Sequence, residues 1–242
     1  MGIVNTESGT RVDEIADGIY RISTPSTVVP GGFTFNQFLV EDEAPLLFHT
    51  GLRGMFPLVR EAVAHVLGDA ARLRYLSFSH VEADECGAAN LWLATAPGAQ
   101  LVCSTTAAMV SMNDLADRPP RALADGEELS LGRRSLRWVD TPHLPHGWES
   151  GLMFEPGTRT LLCGDLFTAG GADVPPLSAS DVVGPALAMH AAVPYLTPGP
   201  HVRPLLEKLS RLEPRVLGLM HGSSHQGYGG RALLALADAL GA

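Results

Sequence analysis

The sequence predicts a mixed α/β protein in which helices cover the outer faces of packed sheets. The 242 residues are 45% hydrophobic, which is enough for one large core. Several short segments are almost continuously apolar, as in strands that are buried on both faces. Strand-like and helical segments alternate through the middle of the chain, and this order favours an α/β sandwich. We expect a single domain over residues 1–242, because no repeat or polar linker interrupts it.

The first half of the chain is predicted to open with three strands and then to alternate. A helix is expected from Met55 onwards, because Val59, Ala62, Val63 and Val66 recur at spacings of three and four and form one apolar face. A later helix should end near Pro97, since the residue before a proline disfavours helical geometry. The predicted strands are 18–24, 35–41, 45–51, 73–79 and 100–104, and the helices are 55–67, 87–97 and 105–112.

The second half is predicted to contain more strands and to end in helices. The tripeptide "PGT" at 156–158 predicts a hairpin between two strands. Residues 117–129 are expected to form a loop, and 169–200 are expected to be irregular apart from one short helix. The predicted strands are 136–142, 151–157, 159–165 and 215–222, and the helices are 186–192, 202–212 and 230–240.

Composition and charge narrow the classes of partner. Lys and Arg number 17 against 26 Asp and Glu, so the net charge is −9, which disfavours nucleic acid and anionic membrane surfaces. The three cysteines form no CxxC pair and lie far apart in the sequence, so we expect reduced thiols and a cytoplasmic protein. The N-terminus resembles no signal peptide, and no apolar run is long enough to span a bilayer.

Histidines and acidic residues follow several predicted strands. His80 comes after one buried strand, Asp165 ends another, His221 ends a third, and His146 lies in the loop after a fourth. Residues at strand ends can converge on one edge of a sheet, where α/β proteins build their sites. Burial of so many ionisable groups is unfavourable unless something neutralises them, and a pair of metal ions would do so.

The segment "HVEADE" at 80–85 resembles the metal loop of the metallo-β-lactamase superfamily. Most members carry H-x-H-x-D-H there, whereas this chain has Glu82 at the third position. That substitution is the pattern of the flavodiiron proteins and of their stand-alone relatives, the diiron oxygen-binding proteins. Segments 40–63 and 140–167 extend the resemblance over most of the chain. The resemblance implies an αββα sandwich.

The resemblance also implies a set of metal ligands. One iron would take His80, Glu82 and His146, and the other would take Asp84 and His221. Asp165 would bridge the two ions, which would form an Fe–O–Fe centre. Carboxylates suit iron or manganese, although zinc also accepts imidazole and carboxylate ligands.

Two positions depart from the family pattern, and three more lie close to the ligands in sequence. Glu85 stands where the family usually has His, so it could ligate a metal, lie behind the ligands or leave a water there. His49 replaces the usual Asp of an early "D-T-G" and could support the ligands. Trp148, His225 and Tyr228 are further candidates to line the site, although Trp148 could equally belong to the core.

The resemblance implies a diiron protein that binds or reduces O2 or NO. The chain ends at Ala242 directly after the last predicted helix, so we expect no flavodoxin domain and no FMN of its own. Electrons would then come from a separate redox partner, or the protein would serve as an oxygen sensor. Family members often dimerise, which leaves a homodimer as one option.

Three other functions remain open at this point. A dinuclear zinc hydrolase would use metal-bound hydroxide to attack an ester, thioester, lactone or phosphodiester. A diiron oxygenase would act on an organic substrate, with residues 169–200 forming the pocket. A non-enzymatic member would use the metals for structure or signalling. Glu82 favours the redox functions over the hydrolase.

Overall fold

Two β-sheets pack face to face in the computed structural model, which describes residues 2–241. The first sheet has eight strands in chain order, antiparallel up to β5 and parallel from β5 to β8. Its strands are β1 (Ile3–Asn5), β2 (Thr10–Ala16), β3 (Ile19–Ser26), β4 (Phe33–Val40), β5 (Leu46–Phe48), β6 (Tyr75–Ser77), β7 (Gln100–Ser104) and β8 (Arg121–Leu123).

The second sheet has seven strands, and its order differs from the chain order. The strands run β13-β15-β14-β12-β11-β10-β9, with the predicted hairpin joining β11 and β12. They are β9 (Glu128–Ser130), β10 (Ser135–Asp140), β11 (Gly151–Glu155), β12 (Thr160–Leu162), β13 (Leu177–Ser178), β14 (Val216–Gly218) and β15 (Ser224–Gln226).

Within residues 2–241, seven α-helices lie between strands and an eighth follows the last strand. They are α1 (Phe56–Leu67), α2 (Ala83–Cys86), α3 (Ala89–Thr95), α4 (Thr105–Ala107), α5 (Asn113–Leu115), α6 (Val183–Ala192), α7 (Val202–Ser210) and α8 (Gly229–Ala239). A π-helical turn joins α4 to α5, and 3₁₀ turns occupy Arg53–Met55 and Ala70–Arg72. Within residues 2–241, no helix has both the length and the apolar character needed to cross a membrane.

Three apolar layers confirm the αββα sandwich. Phe38 of the first sheet and Trp138 of the second belong to the layer between the sheets. Leu39, the neighbour of Phe38, belongs instead to the layer under α1 and α3, and Leu217 packs under α7 and α8. Because successive side chains in a strand point to opposite faces, strands between two apolar layers must be apolar throughout. This explains the continuous apolar runs in the sequence.

Most predicted elements are present, but the loop prediction for 117–129 is wrong. Strand β8 and the start of β9 lie in that segment. Both strands have three residues, and Arg121 and Glu128 place charge in them, so the hydrophobic pattern gave no strand signal. Strands β1, β2, β13 and β15 also went unpredicted, and β13 and β15 have only two and three residues. Pairing with neighbouring strands stabilises such short strands.

The candidate site residues follow strands whose carboxyl ends share one edge of the sandwich. Strands β5 and β6 are parallel, as are β12 and β14, so each pair ends on the same side. His80 follows β6, Asp165 follows β12 and His221 follows β14. The topology therefore delivers these three side chains to one edge, as the positions at strand ends predict.

Candidate metal centre

Four of the six predicted ligands form one tight group. Donor atoms of His80, Glu82, His146 and Asp165 all lie within 4.8 Å of one another. Oε2 of Glu82 lies 2.8 Å from Nε2 of His80 and 3.1 Å from Nε2 of His146. The two imidazole rings are edge to face, with centroids 4.2 Å apart. Residues from three separate loops thus present nitrogen and oxygen donors to a single point.

The two carboxylate oxygens of Asp165 face two different sets of donors. Oδ2 lies 3.7 Å from Nε2 of His146 and 4.0 Å from Nε2 of His80. Oδ1 lies 3.2 Å from Nε2 of His221, which is itself 3.4 Å from Oδ2 of Asp84. Asp165 therefore stands between a group that contains Glu82 and a second group that contains Asp84 and His221.

The three histidines each have their Nδ1 atom occupied. Nδ1 of His146 lies 2.8 Å from the carbonyl oxygen of Tyr195, and Nδ1 of His221 lies 2.8 Å from that of Thr34. Nδ1 of His80 lies 2.8 Å from the hydroxyl of Ser79. A carbonyl oxygen can only accept a hydrogen bond, so Nδ1 of His146 and of His221 must carry the hydrogen. Nε2 is then the ring nitrogen that would bind a metal, the usual arrangement of metal-binding histidines.

In the absence of a metal, protonated histidines balance the negative charge of the carboxylates in the cluster. Burial lowers the pKa of His221, but Asp165 and Asp84 outweigh it and raise that pKa to about 10. Burial also lowers the pKa of His80, but the carboxylates around it, among them Glu85 and Glu82, outweigh burial and raise that pKa to about 9. Hydrogen bonds from His146 and His80 lower the pKa of Glu82 far below its usual value. Near pH 7 the carboxylate of Glu82 is therefore ionised, and the imidazoles of His80 and His221 are protonated.

These residues fit a pair of divalent or trivalent cations. Oδ1 of Asp165 is buried and lacks a hydrogen-bond partner with good geometry among the described residues, which a cation would supply. Three imidazoles and three carboxylates offer only nitrogen and oxygen, the donors that iron, manganese and zinc accept. Metal ions would replace the protons that now neutralise the buried carboxylates.

The sequence profile of the ODP family beta lactamase matches residues 33–222, which include all six clustered residues. The chain belongs to this family. Two curated relatives of this family member are enzymes. The rubredoxin-oxygen oxidoreductase of Megalodesulfovibrio gigas is 30% identical over 143 residues, which are 58% of this chain and 35% of that protein. The nitric oxide reductase of Moorella thermoacetica is 28% identical over 167 residues, or 63% of this chain and 41% of that protein.

Solved structures share the fold of this ODP family member. Rubredoxin oxygen:oxidoreductase from Desulfovibrio gigas superposes with a TM-score of 0.83 at 22% identity, over 95% of this chain and 61% of the other. The Flv1 flavodiiron core from Synechocystis gives a TM-score of 0.82 at 21% identity, over 96% and 60%. The chain thus spans about two fifths of the curated relatives and about three fifths of these structures.

Glu85 and His49, the two departures from the family pattern, contact each other behind the cluster. Oε2 of Glu85 lies 3.1 Å from Nε2 of His49, and both side chains are fully buried. Burial lowers the pKa of His49 to about 3 and raises that of Glu85 to about 8. His49 is therefore neutral, and the pair sits on the side of His80 that faces away from Glu82.

Three other candidates occupy different positions. More than half of Trp148 is exposed, at 56%, so it does not belong to the core. His225 lies in β15, where burial lowers its pKa against opposing effects of Ser180 and Asp181. Tyr228 stacks under the guanidinium of Arg231 and lines a 1150 Å³ cavity whose walls include none of the six clustered residues. Tyr228 therefore lines a different cavity, and a place for it beside the metal site stays a prediction.

The sequence did not predict two residues that support the cluster, Glu149 and Tyr195. The carboxylate of Glu149 accepts a hydrogen bond from the backbone of Val81 at 2.9 Å and so ties the His80 loop to the His146 loop. Tyr195 supplies the carbonyl that holds His146, and its buried hydroxyl lacks a partner among the described residues. Tyr195 lies in a segment of weak periodicity, so no sequence signal pointed to it. Glu149, three residues after His146, could have been suspected from its proximity.

Cys86 is next to Glu85 in sequence but does not join the donors. Its thiol donates a hydrogen bond to the carbonyl oxygen of Glu82 at 3.3 Å. Burial raises the pKa of the Cys86 thiol to about 12. Cys86 is not part of the group of donor atoms formed by His80, Glu82, His146 and Asp165.

Proposed function

We propose that this protein is a non-haem diiron protein that binds and reduces a diatomic gas, O2 or NO. The observation that carries the proposal is the placement of Asp165, whose two oxygens face two separate donor sets. A carboxylate in that position can hold two cations next to each other. The redox activities named in the two curated relatives support this chemistry for the ODP family member.

Each clustered residue then has a defined task. His80, Glu82 and His146 would hold one iron, Asp84 and His221 would hold the other, and Asp165 would bridge them. Two adjacent irons supply the redox chemistry and a place for a small gas to bind. The hydrogen bonds at the Nδ1 atoms of the histidines fix the direction in which their Nε2 atoms point.

Glu82 supports iron over zinc. With Glu82, the cluster contains three carboxylates in addition to its three imidazoles. Carboxylates are hard ligands that stabilise iron in its higher oxidation state better than neutral imidazole does. The side chain of Glu82 is 51% exposed, so it also marks the side from which a gas molecule could reach the centre.

Electrons would come from a separate redox protein. The clearest support is the name of the Megalodesulfovibrio relative, which pairs rubredoxin with oxygen. The exposed edges of Glu82 and His146 would let such a donor approach the metals closely.

Metal analysis together with anaerobic gas titration tests the proposal. The protein, expressed without added metal, should contain two irons per chain and show a ferric absorption band that bleaches on reduction. The reduced protein should then be reoxidised by O2 or should convert NO to N2O. Stoichiometric zinc, no visible band and hydrolysis of an ester or thioester would overturn the proposal in favour of a dinuclear zinc hydrolase.

A further inference from the structure

We propose that Glu85 is a positioning residue that acts on His80 through the hydroxyl of Ser79 and does not itself bind metal. The proposal rests on the function proposed above, because it concerns the same site. It assigns a role to the position at which this chain departs from its family. Ser79, Glu85 and His49 are all at least 99% buried, so solvent does not compete for their hydrogen bonds.

Both carboxylate oxygens of Glu85 are already engaged. Oε1 accepts a hydrogen bond from the hydroxyl of Ser79 at 2.9 Å, and Oε2 accepts one from the backbone N–H of Ser79 at 2.9 Å. Oε2 also lies 3.1 Å from Nε2 of His49. A metal bound to Glu85 would have to displace the two hydrogen bonds from Ser79, whose buried donors would then lose this acceptor. Asp84, the preceding residue, points instead towards His221.

The hydroxyl of Ser79 links Glu85 to His80. A serine hydroxyl has one proton, and that proton is donated to Oε1 of Glu85. The contact of 2.8 Å between the Ser79 oxygen and Nδ1 of His80 must therefore use a proton on Nδ1. With a proton held on Nδ1, Nε2 is the nitrogen that faces Glu82 and Asp165 and that would bind a metal once its own proton leaves. Glu85 orients the metal-binding nitrogen without touching it.

His49 holds Glu85 from the opposite side. The backbone of His49 has a φ of 67°, a left-handed conformation that histidine adopts more readily than most residues. The next backbone N–H, that of Thr50, donates to the carbonyl oxygen of Glu85 at 2.7 Å. The segment of His49 and Thr50 therefore contacts both the side chain and the backbone of Glu85, which limits its freedom to swing towards a metal.

Gly164 leaves room for the Ser79 hydroxyl. Its φ is 51°, and a Cβ at this position would collide with Oγ of Ser79. Gly164 directly precedes Asp165, so the Ser79 hydroxyl also packs against the segment that carries the bridging carboxylate. A side chain at residue 164 would push the relay and Asp165 apart.

Ser79→Ala tests the relay, and Ser77→Ala is its matched control. Ser77 lies two residues earlier, is fully buried and has a hydroxyl without a hydrogen-bond partner among the described residues. In anaerobic Fe²⁺ titrations against a chelator, Ser79→Ala should weaken one of the two sites by about 10- to 100-fold, as loss of such supporting contacts usually does. Ser77→Ala should bind two irons like the wild type. Equal affinities in all three proteins, or equal losses in both variants, would overturn the proposal.

A tautomer measurement keeps the test independent of gas chemistry and of folding losses. In zinc-loaded, ¹⁵N-labelled protein, Nδ1–H of His80 should give a slowly exchanging NMR signal in the wild type and in Ser77→Ala. That signal should exchange fast in Ser79→Ala and in Glu85→Ala. Metal bound to Nδ1, or loss of the metal on Asp84 and His221 in Glu85→Ala, would show that Glu85 acts otherwise. A wild type that binds two metals but ignores O2 and NO would contradict only the proposed function.

Discussion

The two halves of the candidate centre differ in how firmly the protein holds them. The Glu82 half, formed by His80, Glu82 and His146, is open, with side-chain exposures of 51% for Glu82 and 27% for His146. The His221 half, formed by Asp84 and His221, is enclosed, and the side chain of His221 is only 4% exposed. Solvent and small ligands can therefore reach the Glu82 half, whereas the protein encloses the His221 half.

Packing explains why the His221 half is the more rigid. Phe33 stacks on the imidazole of His221 with ring centroids 4.1 Å apart. The side-chain amide of Asn36 donates to the carbonyl oxygens of Leu219 and Gly222 at 2.8 and 2.9 Å, and Arg21 donates to Gly222 at 3.0 Å. These contacts fix the backbone on both sides of His221. In the Glu82 half, by contrast, the carboxylate of Glu82 is exposed to solvent on one side.

The largest effect should come from Asp165→Asn, because the two carboxylate oxygens of Asp165 face both halves. The change keeps the shape of the side chain but removes the charge that faces both donor sets. We expect the affinity for both metals to fall together, on the order of 100-fold or more. Metal content and chelator competition would measure this, with the exposed Asp114→Asn as the control. Loss of a single metal would show that Asp165 serves one half alone.

A smaller effect, confined to the open half, is expected for Glu82→His. The variant exchanges a hard carboxylate for an imidazole next to His80 and His146, which favours zinc. After loading with equal Fe²⁺ and Zn²⁺, the iron-to-zinc ratio should fall by roughly tenfold. The exposed Glu7→His is the control for added histidine. An unchanged ratio would mean that Glu82 does not select the metal.

The sequence predicted which residues of the open half lie near Asp165 better than it predicted the contacts that support them. His80, Glu82, His146 and Asp165 lie together because strand ends share an edge, and a strand end can be recognised from an apolar run. The contacts that orient the histidines involve backbone carbonyls, such as that of Tyr195 for His146 and that of Thr34 for His221, which any residue type provides. Such partners leave no mark in the sequence.

The same distinction applies to the fold. Long apolar strands and the helix α1 were predictable because their pattern reports burial directly. The three-residue strands β8 and β15 owe their geometry to pairing with neighbours, and their own residues carry no strand period. The sequence left three options open for Glu85, because its contact with His49 joins residues 36 positions apart.

Metal affinity should depend on pH in both halves, by about tenfold for one pH unit. Nearby carboxylates raise the pKa of His80 to about 9 and that of His221 to about 10, so a metal must displace one proton in each half near pH 7. Affinity should therefore rise with pH and level off above these values. In the metal-free protein the sign is opposite, because raised histidine pKa values stabilise the fold at low pH and that stability is lost as pH rises towards 10. Calorimetry in buffers of different ionisation enthalpy would count the released protons, and a count near zero would contradict the protonated cluster.

The smallest effect should come from Asn36→Ala, which loosens the enclosed half without removing a ligand. The variant leaves the carbonyl oxygens of Leu219 and Gly222 without a side-chain donor from Asn36, at a cost of about 1–3 kcal/mol in the free energy of unfolding. The metal on Asp84 and His221 should be released a few-fold faster, while the Glu82 half is unchanged. Gln37→Ala is the matched control, because Gln37 is equally buried on the other face of β4 and its amide has no partner among the described residues. Both variants open a cavity, so faster metal release in both would assign the effect to packing, whereas release from Asn36→Ala alone would show that rigidity of the backbone around His221 retains the enclosed metal.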